Sequence, residues 1–216
     1  MLMLSPDDVP PALPCWMNGR AFLSLTEEFE TVHDRATGKP LRRTPLCGEA
    51  EVAEAVAVAR AALPEWQAAG RKAWQDMLSA WGEALKRYGD HFAQLLCQET
   101  GVDEASAQAE VAEATAALQE KTSAATGEEE NTVRSISVSV KRPLANAASA
   151  LAAALGAGAT VVVHPDPSAP GAVYALIELS ARVGVPPGVV NLVQGKEAVA
   201  AALARHLPTQ NTARRT

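Results

Sequence analysis

The stretch Val185-Pro186-Pro187-Gly188-Val189-Val190-Asn191-Leu192-Val193-Gln194-Gly195 constrains the fold of this chain more than any other. It reads as an exposed turn at the prolines, a buried strand over 189–193, and a glycine at which a new helix starts. Upstream, Thr160-Val161-Val162-Val163 is a β-branched run suited to a strand buried on both faces. Pro165, Pro167 and Pro170 break the chain after it. Val173, Leu176, Ile177 and Ser180 then fall on one face of a helix over 171–183. Strand, helix, strand at this spacing is a parallel, right-handed βαβ unit, followed by a helix over 196–205.

Helices dominate the first half. Val52, Ala55, Val56, Ala59 and Leu63 keep helical spacing behind Glu49 and Glu51, and Pro64 is expected to limit that helix. Trp74, Met77, Leu78, Trp81, Leu85 and Tyr88 share the face of the next, and the two tryptophans read as core. Gly89 ends it and Asp90 caps a third helix, which carries Phe92, Leu95 and Leu96. Residues 103–125 form an alanine- and glutamate-rich helix, and Glu128-Glu129-Glu130 marks a solvated turn. Before this block, Asn18-Gly19 is a strong hairpin signal and Thr37-Gly38-Lys39-Pro40 a second turn. Residues 133–140 change period: Ile136, Val138 and Val140 alternate with serines, as a half-exposed strand should. Residues 144–156 read as an alanine-rich helix. Residues 1–14 are an irregular lead-in, 15–207 one α/β domain, and 208–216 a flexible tail.

Composition excludes some functions. The 19 basic against 25 acidic residues give −6, with no basic block, which argues against nucleic-acid binding. No apolar run approaches the roughly 20 residues of a membrane span. The N-terminus has neither the basic nor the apolar region of a signal peptide. Cys15, Cys47 and Cys97 are an odd set without a C-x-x-C pair, which fits reduced thiols in a cytoplasmic protein.

The chain resembles the aldehyde dehydrogenase superfamily. The likeness runs through Trp16-Met17-Asn18-Gly19-Arg20, Ala36-Thr37-Gly38-Lys39, residues 55–62 with Trp66 and Arg71, and Glu99-Thr100-Gly101. It is clearest in Gly158-Ala159-Thr160-Val161-Val162-Val163 and over 185–195, similar to the family's G-x-P-x-G-V-x-N-x-x-x-G. The resemblance implies the helix-rich N-terminal part of that α/β fold, with an incomplete parallel Rossmann-type sheet and a strand or β-hairpin for oligomerisation.

The departures bear on chemistry. Arg142-Pro143 resembles the family's R-x-P, after which a strand and a Pro-Trp-Asn motif are expected. Only residues 144–157 separate it from Gly158, so that piece reads as deleted, and Asn146 does not match the oxyanion asparagine. The family's lysine and glutamate that grip the cofactor's adenine ribose are matched by His164 and Pro167. The nucleophilic cysteine and general-base glutamate would lie past Thr216, and no residue present matches either. No residue is therefore assigned a catalytic role or a metal.

Three residues remain as weak cofactor contacts. His164 stands at the carboxyl end of a strand, where open α/β sheets place ligands. Gly195 and Lys196 follow a strand at a helix start, where free N–H groups attract anions. Gly156-Ala157-Gly158 follows a helix instead, and reads as a tight turn. Ile136, Val138 and Val140 are the candidate assembly residues, since strand addition needs an alternating face and backbone hydrogen bonds.

The expected function is a non-catalytic, aldehyde dehydrogenase-like subunit. It would form a homo-oligomer, or a hetero-oligomer with a full-length aldehyde dehydrogenase, without an NAD or NADP requirement. A truncated, non-functional fragment and a residual NAD(P)-binding module are the alternatives.

Overall fold

The computed structural model describes residues 10–120 and 132–207. In chain order its elements are β1 (Cys15–Met17), β2 (Arg20–Phe22), β3 (Phe29–His33), β4 (Pro40–Pro45), α1 (Glu49–Arg87), α2 (Gly89–Thr100), α3 (Glu104–Gln119), β5 (Val133–Val138), α4 (Pro143–Gly156), β6 (Thr160–Pro165), α5 (Gly171–Arg182), β7 (Val190–Leu192) and α6 (Glu197–His206). The glutamate run and the C-terminal tail lie outside the described residues, as does the end of the helix expected over 103–125.

Five strands form one sheet in the order β2-β1-β7-β6-β5. β5, β6 and β7 run parallel, and β1 joins the β7 edge antiparallel through Trp16 opposite Leu192. The β1–β2 hairpin turns at Asn18-Gly19 with Met17 opposite Arg20, and both turn residues have positive φ. That conformation matches the right-handed strand twist, which is why Asn-Gly is favoured there. β3 and β4 pair separately, and the lead-in adds a bridge from Ala12 to Arg43.

Side-chain alternation sends the parallel strands' apolar residues to two cores. Ile136, Val138, Val161, Val163, Val190 and Leu192 pack on the face covered by α4, α5 and the tryptophans. Val133, Val162 and Val193 pack on the other, against α6 and the start of α1. α1 serves both faces, and it breaks at Gly70, whose φ of 78° and ψ of 165° no helix accommodates. Val52, Ala55, Val56 and Ala59 belong to one core; Trp66, ahead of the break, and Trp74, Leu78, Trp81 and Leu85, after it, belong to the other. Glycine permits that left-handed φ without a Cβ penalty. Pro64 does not stop the helix, contrary to expectation. It and Arg60 face solvent, so the carbonyl deprived of a partner is not trapped in the core.

The tryptophans are core; Trp74 and Trp81 find partners for their indole N–H groups, while Trp66 Nε1 is buried without one. Trp66 and Trp74 stack at 5.7 Å between ring centroids, and Trp74 Nε1 donates to the Trp66 carbonyl at 2.7 Å. Trp81 Nε1 donates to the Leu176 carbonyl at 3.0 Å, tying α1 to α5. Asn191 explains the signature around it. Its Nδ2 donates to the Gly188 carbonyl at 2.7 Å, and its Oδ1 accepts from the Asn18 N–H at 3.1 Å. One buried amide thus fixes the turn before β7 to the hairpin beside it.

Three further expectations need correction. Asp90 sits within the first turn of α2 rather than capping it; Tyr88 holds the cap position. Residues 133–138 are not a protruding hairpin but a parallel strand at the sheet edge, and Ile136 and Val138 are buried beneath α4. Val140 lies past the strand's end, half-buried. The third concerns the apparent deletion. Strand, turn, helix and strand follow in order as β5, residues 139–142, α4 and β6, so the strand sought after Pro143 stands before it. Arg142-Pro143 therefore opens α4 and does not lead into a strand.

Candidate functional site

A cleft of about 860 Å³ opens at the carboxyl ends of β5, β6 and the β7–α6 turn. Ser137 and Ser139 line it from β5 and its end, Asn146 and Ser149 from α4, His164 and Asp166 from the end of β6, and Lys196 and Glu197 from the start of α6. Open α/β sheets bind ligands at this end of their strands. The structure therefore brings His164 and Lys196 together at one cleft, with Gly195 immediately behind them. Ile136 and Val140 do not line it, and Val138 does.

His164 occupies the penultimate position of β6, which is buried along its whole length. Its Nε2 lies 3.0 Å from the Gly195 carbonyl. A carbonyl only accepts, so Nε2 carries the proton and donates. Burial holds the ring below its usual pKa, opposed by that hydrogen bond, and the imidazole is neutral near pH 7. Gly195 has a φ of +149°, and a Cβ there would come within 2.5 Å of Val199 Cγ2 and 3.2 Å of the Cys47 carbonyl oxygen. Only glycine permits this turn to pass so close to both.

The charges around the cleft are largely engaged. Lys196 Nζ pairs with Glu30 Oε2 at 2.8 Å, a contact that raises the lysine's pKa. Asp166 Oδ1 accepts from the Ser168 N–H at 2.9 Å and from its hydroxyl at 2.6 Å. Asn146 Nδ2 donates to the Lys141 carbonyl at 2.8 Å, so its amide serves the turn rather than a ligand.

Two of the three helix starts beside these strand ends are also taken, while that of α6 has no side-chain cap. Glu110 Oε1 accepts from Leu144 N at 2.9 Å and Ala145 N at 3.2 Å, at the first turn of α4. Glu99 Oε2 accepts from Gly171 N at 2.7 Å at the start of α5, and Arg42 Nε stands 3.1 Å from Glu99 Oε1. Burial raises the pKa of both carboxyls, while the N–H groups, and Arg42 for Glu99, pull them back down. Helix starts are the usual seats of phosphate groups. Here two of them hold internal carboxylates.

Sequence reasoning missed Glu110 and the serines of β5. Glu99 lay within the quoted Glu99-Thr100-Gly101, but no local pattern shows that it reaches across to α5. Gly101 closes α2 in the left-handed conformation, and Gly158 makes the expected turn between α4 and β6 at a φ of +87°. Of the cysteines, Cys15 and Cys47 are buried and Cys97 half-buried, all free and outside the cleft. Among the described residues no three His, Cys, Asp or Glu side chains cluster as a metal would need, and no helix is long and apolar enough to cross a membrane.

Comparison with known proteins places this geometry. The family model described as "Aldehyde dehydrogenase family" matches residues 23–211. Glutarate-semialdehyde dehydrogenase of Pseudomonas putida is 29% identical over 198 residues, covering 83% of this chain and 41% of that protein. N-succinylglutamate 5-semialdehyde dehydrogenase of a Caulobacter species is 32% identical, covering 79% and 39%. Among solved structures, HpcC of Thermus thermophilus aligns with a TM-score of 0.86 at 26% identity, covering 93% of this chain and 43% of its own. A variant of aldehyde dehydrogenase C of Pseudomonas syringae, solved with NAD+ and octanal, aligns at 0.83 and 25%, covering 94% and 44%. The chain thus spans about 40% of the length of the relatives it matches.

Proposed function

The chain belongs to the aldehyde dehydrogenase family, and we propose that within it this chain is a non-catalytic docking subunit. It joins a second copy of itself or a full-length dehydrogenase through the free edge of β5. The observation that carries this reading is the sheet order: β5 is terminal, and no strand lies against its outer edge among the described residues. In doubly wound sheets of order 3-2-1-4-5-6, that edge is where the fourth strand pairs. β7, β6 and β5 supply the 3-2-1 half.

The backbone defines the docking atoms. The Thr160 N–H donates to the Thr132 carbonyl and the Asp166 N–H to the Val138 carbonyl, so even-numbered residues of β5 point their peptide groups at β6. By strand parity Val133, Ser135 and Ser137 point theirs outward. Unpaired peptide groups in a row are a template for strand addition. The buried Ile136 and Val138 anchor the strand rather than meeting the partner. The packed cores on both faces of the sheet support a folded subunit over a decayed fragment.

Light scattering on the purified chain, alone and mixed with a full-length family member, tests the reading. A discrete complex is expected. Ser137→Pro removes an outward N–H without touching the β5–β6 ladder, and should dissolve the complex while the circular dichroism stays unchanged. A monomer under both conditions, or a complex indifferent to Ser137→Pro, overturns the reading.

A residual NAD(P) module is the second reading, favoured by the volume of the cleft. The donor set does not fit. Pro167 offers no acceptor to a ribose, His164 spends its N–H on Gly195, Lys196 is paired with Glu30, and the starts of α4 and α5 are occupied by carboxylates.

A further inference from the structure

Cys15 and Cys47 are separated by thirty-two positions in the chain, yet their Sγ atoms lie 3.4 Å apart, and both side chains are buried. Cys15 belongs to β1, the strand added antiparallel to the parallel sheet, while Cys47 lies in the short loop that delivers the chain into α1. Around them the contacts are specific. Gln194 N donates to Cys15 Sγ at 3.3 Å, and the Cys47 backbone packs closely on Gly195, 3.2 Å from where a Cβ would stand. The pair therefore sits at the turn whose Gly195 carbonyl receives His164. The proposed docking edge, on the far side of the sheet, uses neither thiol.

The geometry points to an oxidisable dithiol: Cys15 and Cys47 form a reversible disulfide with a peroxide as oxidant, clasping the β1–β2 hairpin and the entry to α1 across the β7 side of the sheet. A bonded pair sits at about 2.05 Å. Rotation about the two Cα–Cβ bonds and a small shift of the loop at 46–48 supply the remaining closure. The two sulfurs are not equivalent. Their mutual hydrogen bond holds Cys47 below the usual thiol range, and the same contact together with burial pushes Cys15 well above it. Cys47, the more readily ionised of the two, is the sulfur that attacks first.

The step balances in two stages. The Cys47 sulfur attacks one peroxide oxygen; the O–O bond breaks, a sulfenic acid forms and one water leaves. The Cys15 sulfur then attacks the Cys47 sulfur. The S–O bond breaks, the S–S bond forms, and the departing hydroxide takes the Cys15 proton as a second water. Two thiols and one hydrogen peroxide give one disulfide and two waters, the sulfurs losing two electrons and the peroxide gaining them.

The test uses the full chain with Cys97→Ser, so that the remaining thiols are the pair alone. The protein is treated with hydrogen peroxide at a slight molar excess, quenched in acid, unfolded, alkylated and weighed intact. The expected product takes up no alkyl group, and dithiothreitol restores both sites. A linked peptide containing Cys15 and Cys47 should appear on digestion. Because the bond closes a loop of the chain, the oxidised form should melt about 5 °C higher or more, and amides of β7 should exchange more slowly. Cys15→Ser and Cys47→Ser in the same background should show neither the linked peptide nor the shift. Two alkylated thiols after peroxide, or oxidation that stops at sulfinic acid on Cys47 without a linked peptide, overturns the inference.

Discussion

Glu99 and Glu110 place carboxylates from the helical layer at the starts of α5 and α4, where backbone N–H groups have no partner within their own helix. Glu99 also faces Arg42, whose side chain is 16% exposed against 1% for the glutamate. Removing the carboxylate leaves a largely desolvated guanidinium and an uncapped helix. Glu99→Ala should therefore cost about 3 kcal/mol of folding stability, read as a lower midpoint in urea unfolding; a loss within the scatter of surface substitutions would show that the pair is solvated. His164 makes a pH prediction. Burial sets its folded pKa below the usual 6.5, so the unfolded chain takes up the proton first as pH falls. Its contribution is intact above that value and is lost as pH drops through it toward the lower folded value. The melting temperature should fall between pH 7.5 and 5.5, and His164→Gln, which keeps a donor for Gly195, should flatten that slope. At this scale the sequence was legible where a residue acts on its neighbours. Asn18-Gly19 announces its turn, and Gly188 with Asn191 announces the β7 entry. It was not legible where one side chain caps a helix thirty to seventy positions away, as Glu110 and Glu99 do, because nothing local distinguishes such a glutamate from a solvated one.

β5 shows how an element can be found and still be misread. The alternation of Ile136 and Val138 with serines marks a strand with one wet face, and the structure has the strand at residues 133–138. Yet Ser135 is buried, and the strand lies parallel to β6 with helices on both sides. Small serines on the second face are tolerated at an edge position, where α6 and the start of α1 leave little volume to fill. Period alone does not separate that case from an exposed hairpin. α1 carries the same lesson in reverse. Pro64 is the stronger helix breaker on propensity, but its ring faces solvent, while the break falls at Gly70, whose positive φ only glycine adopts without strain. A consequence follows for β5. A charge at position 136 is placed into the core and not at a contact surface, so Ile136→Asp should cost about 3 kcal/mol or more through burial of an unpaired carboxylate. Circular dichroism and the unfolding midpoint check this. A fully stable Ile136→Asp chain that merely fails to assemble would return the side chain to the interface and remove it from the core.

At the scale of the whole molecule, the cleft lies where the fold places ligands, but its charge pattern is wrong for a dinucleotide. The chain carries a net charge of −6, and Asp166 and Glu197 stand at the cleft with Lys196 already paired to Glu30. A pyrophosphate arriving there meets two carboxylates, a neutral imidazole and the starts of α4 and α5 occupied from within. Desolvating its charge without a matched donor is unfavourable by several kcal/mol. Calorimetry with NAD or NADP at millimolar concentration should therefore show no saturable heat. The positions that the family resemblance assigns to the adenine ribose give the complementary experiment. His164→Lys with Pro167→Glu puts a cation and an acceptor at the end of β6 while leaving β5, α4 and the Gly195 turn in place. If the cleft is otherwise intact, this double variant should bind the dinucleotide at least tenfold more tightly than the wild type, a gain of about 1.4 kcal/mol. Saturable heat from the wild-type chain would mean that donors other than these hold the nucleotide, and would move the residual NAD(P) module ahead of the docking subunit. Silence from both chains would mean that the substitutions at 164 and 167 do not by themselves restore a nucleotide site.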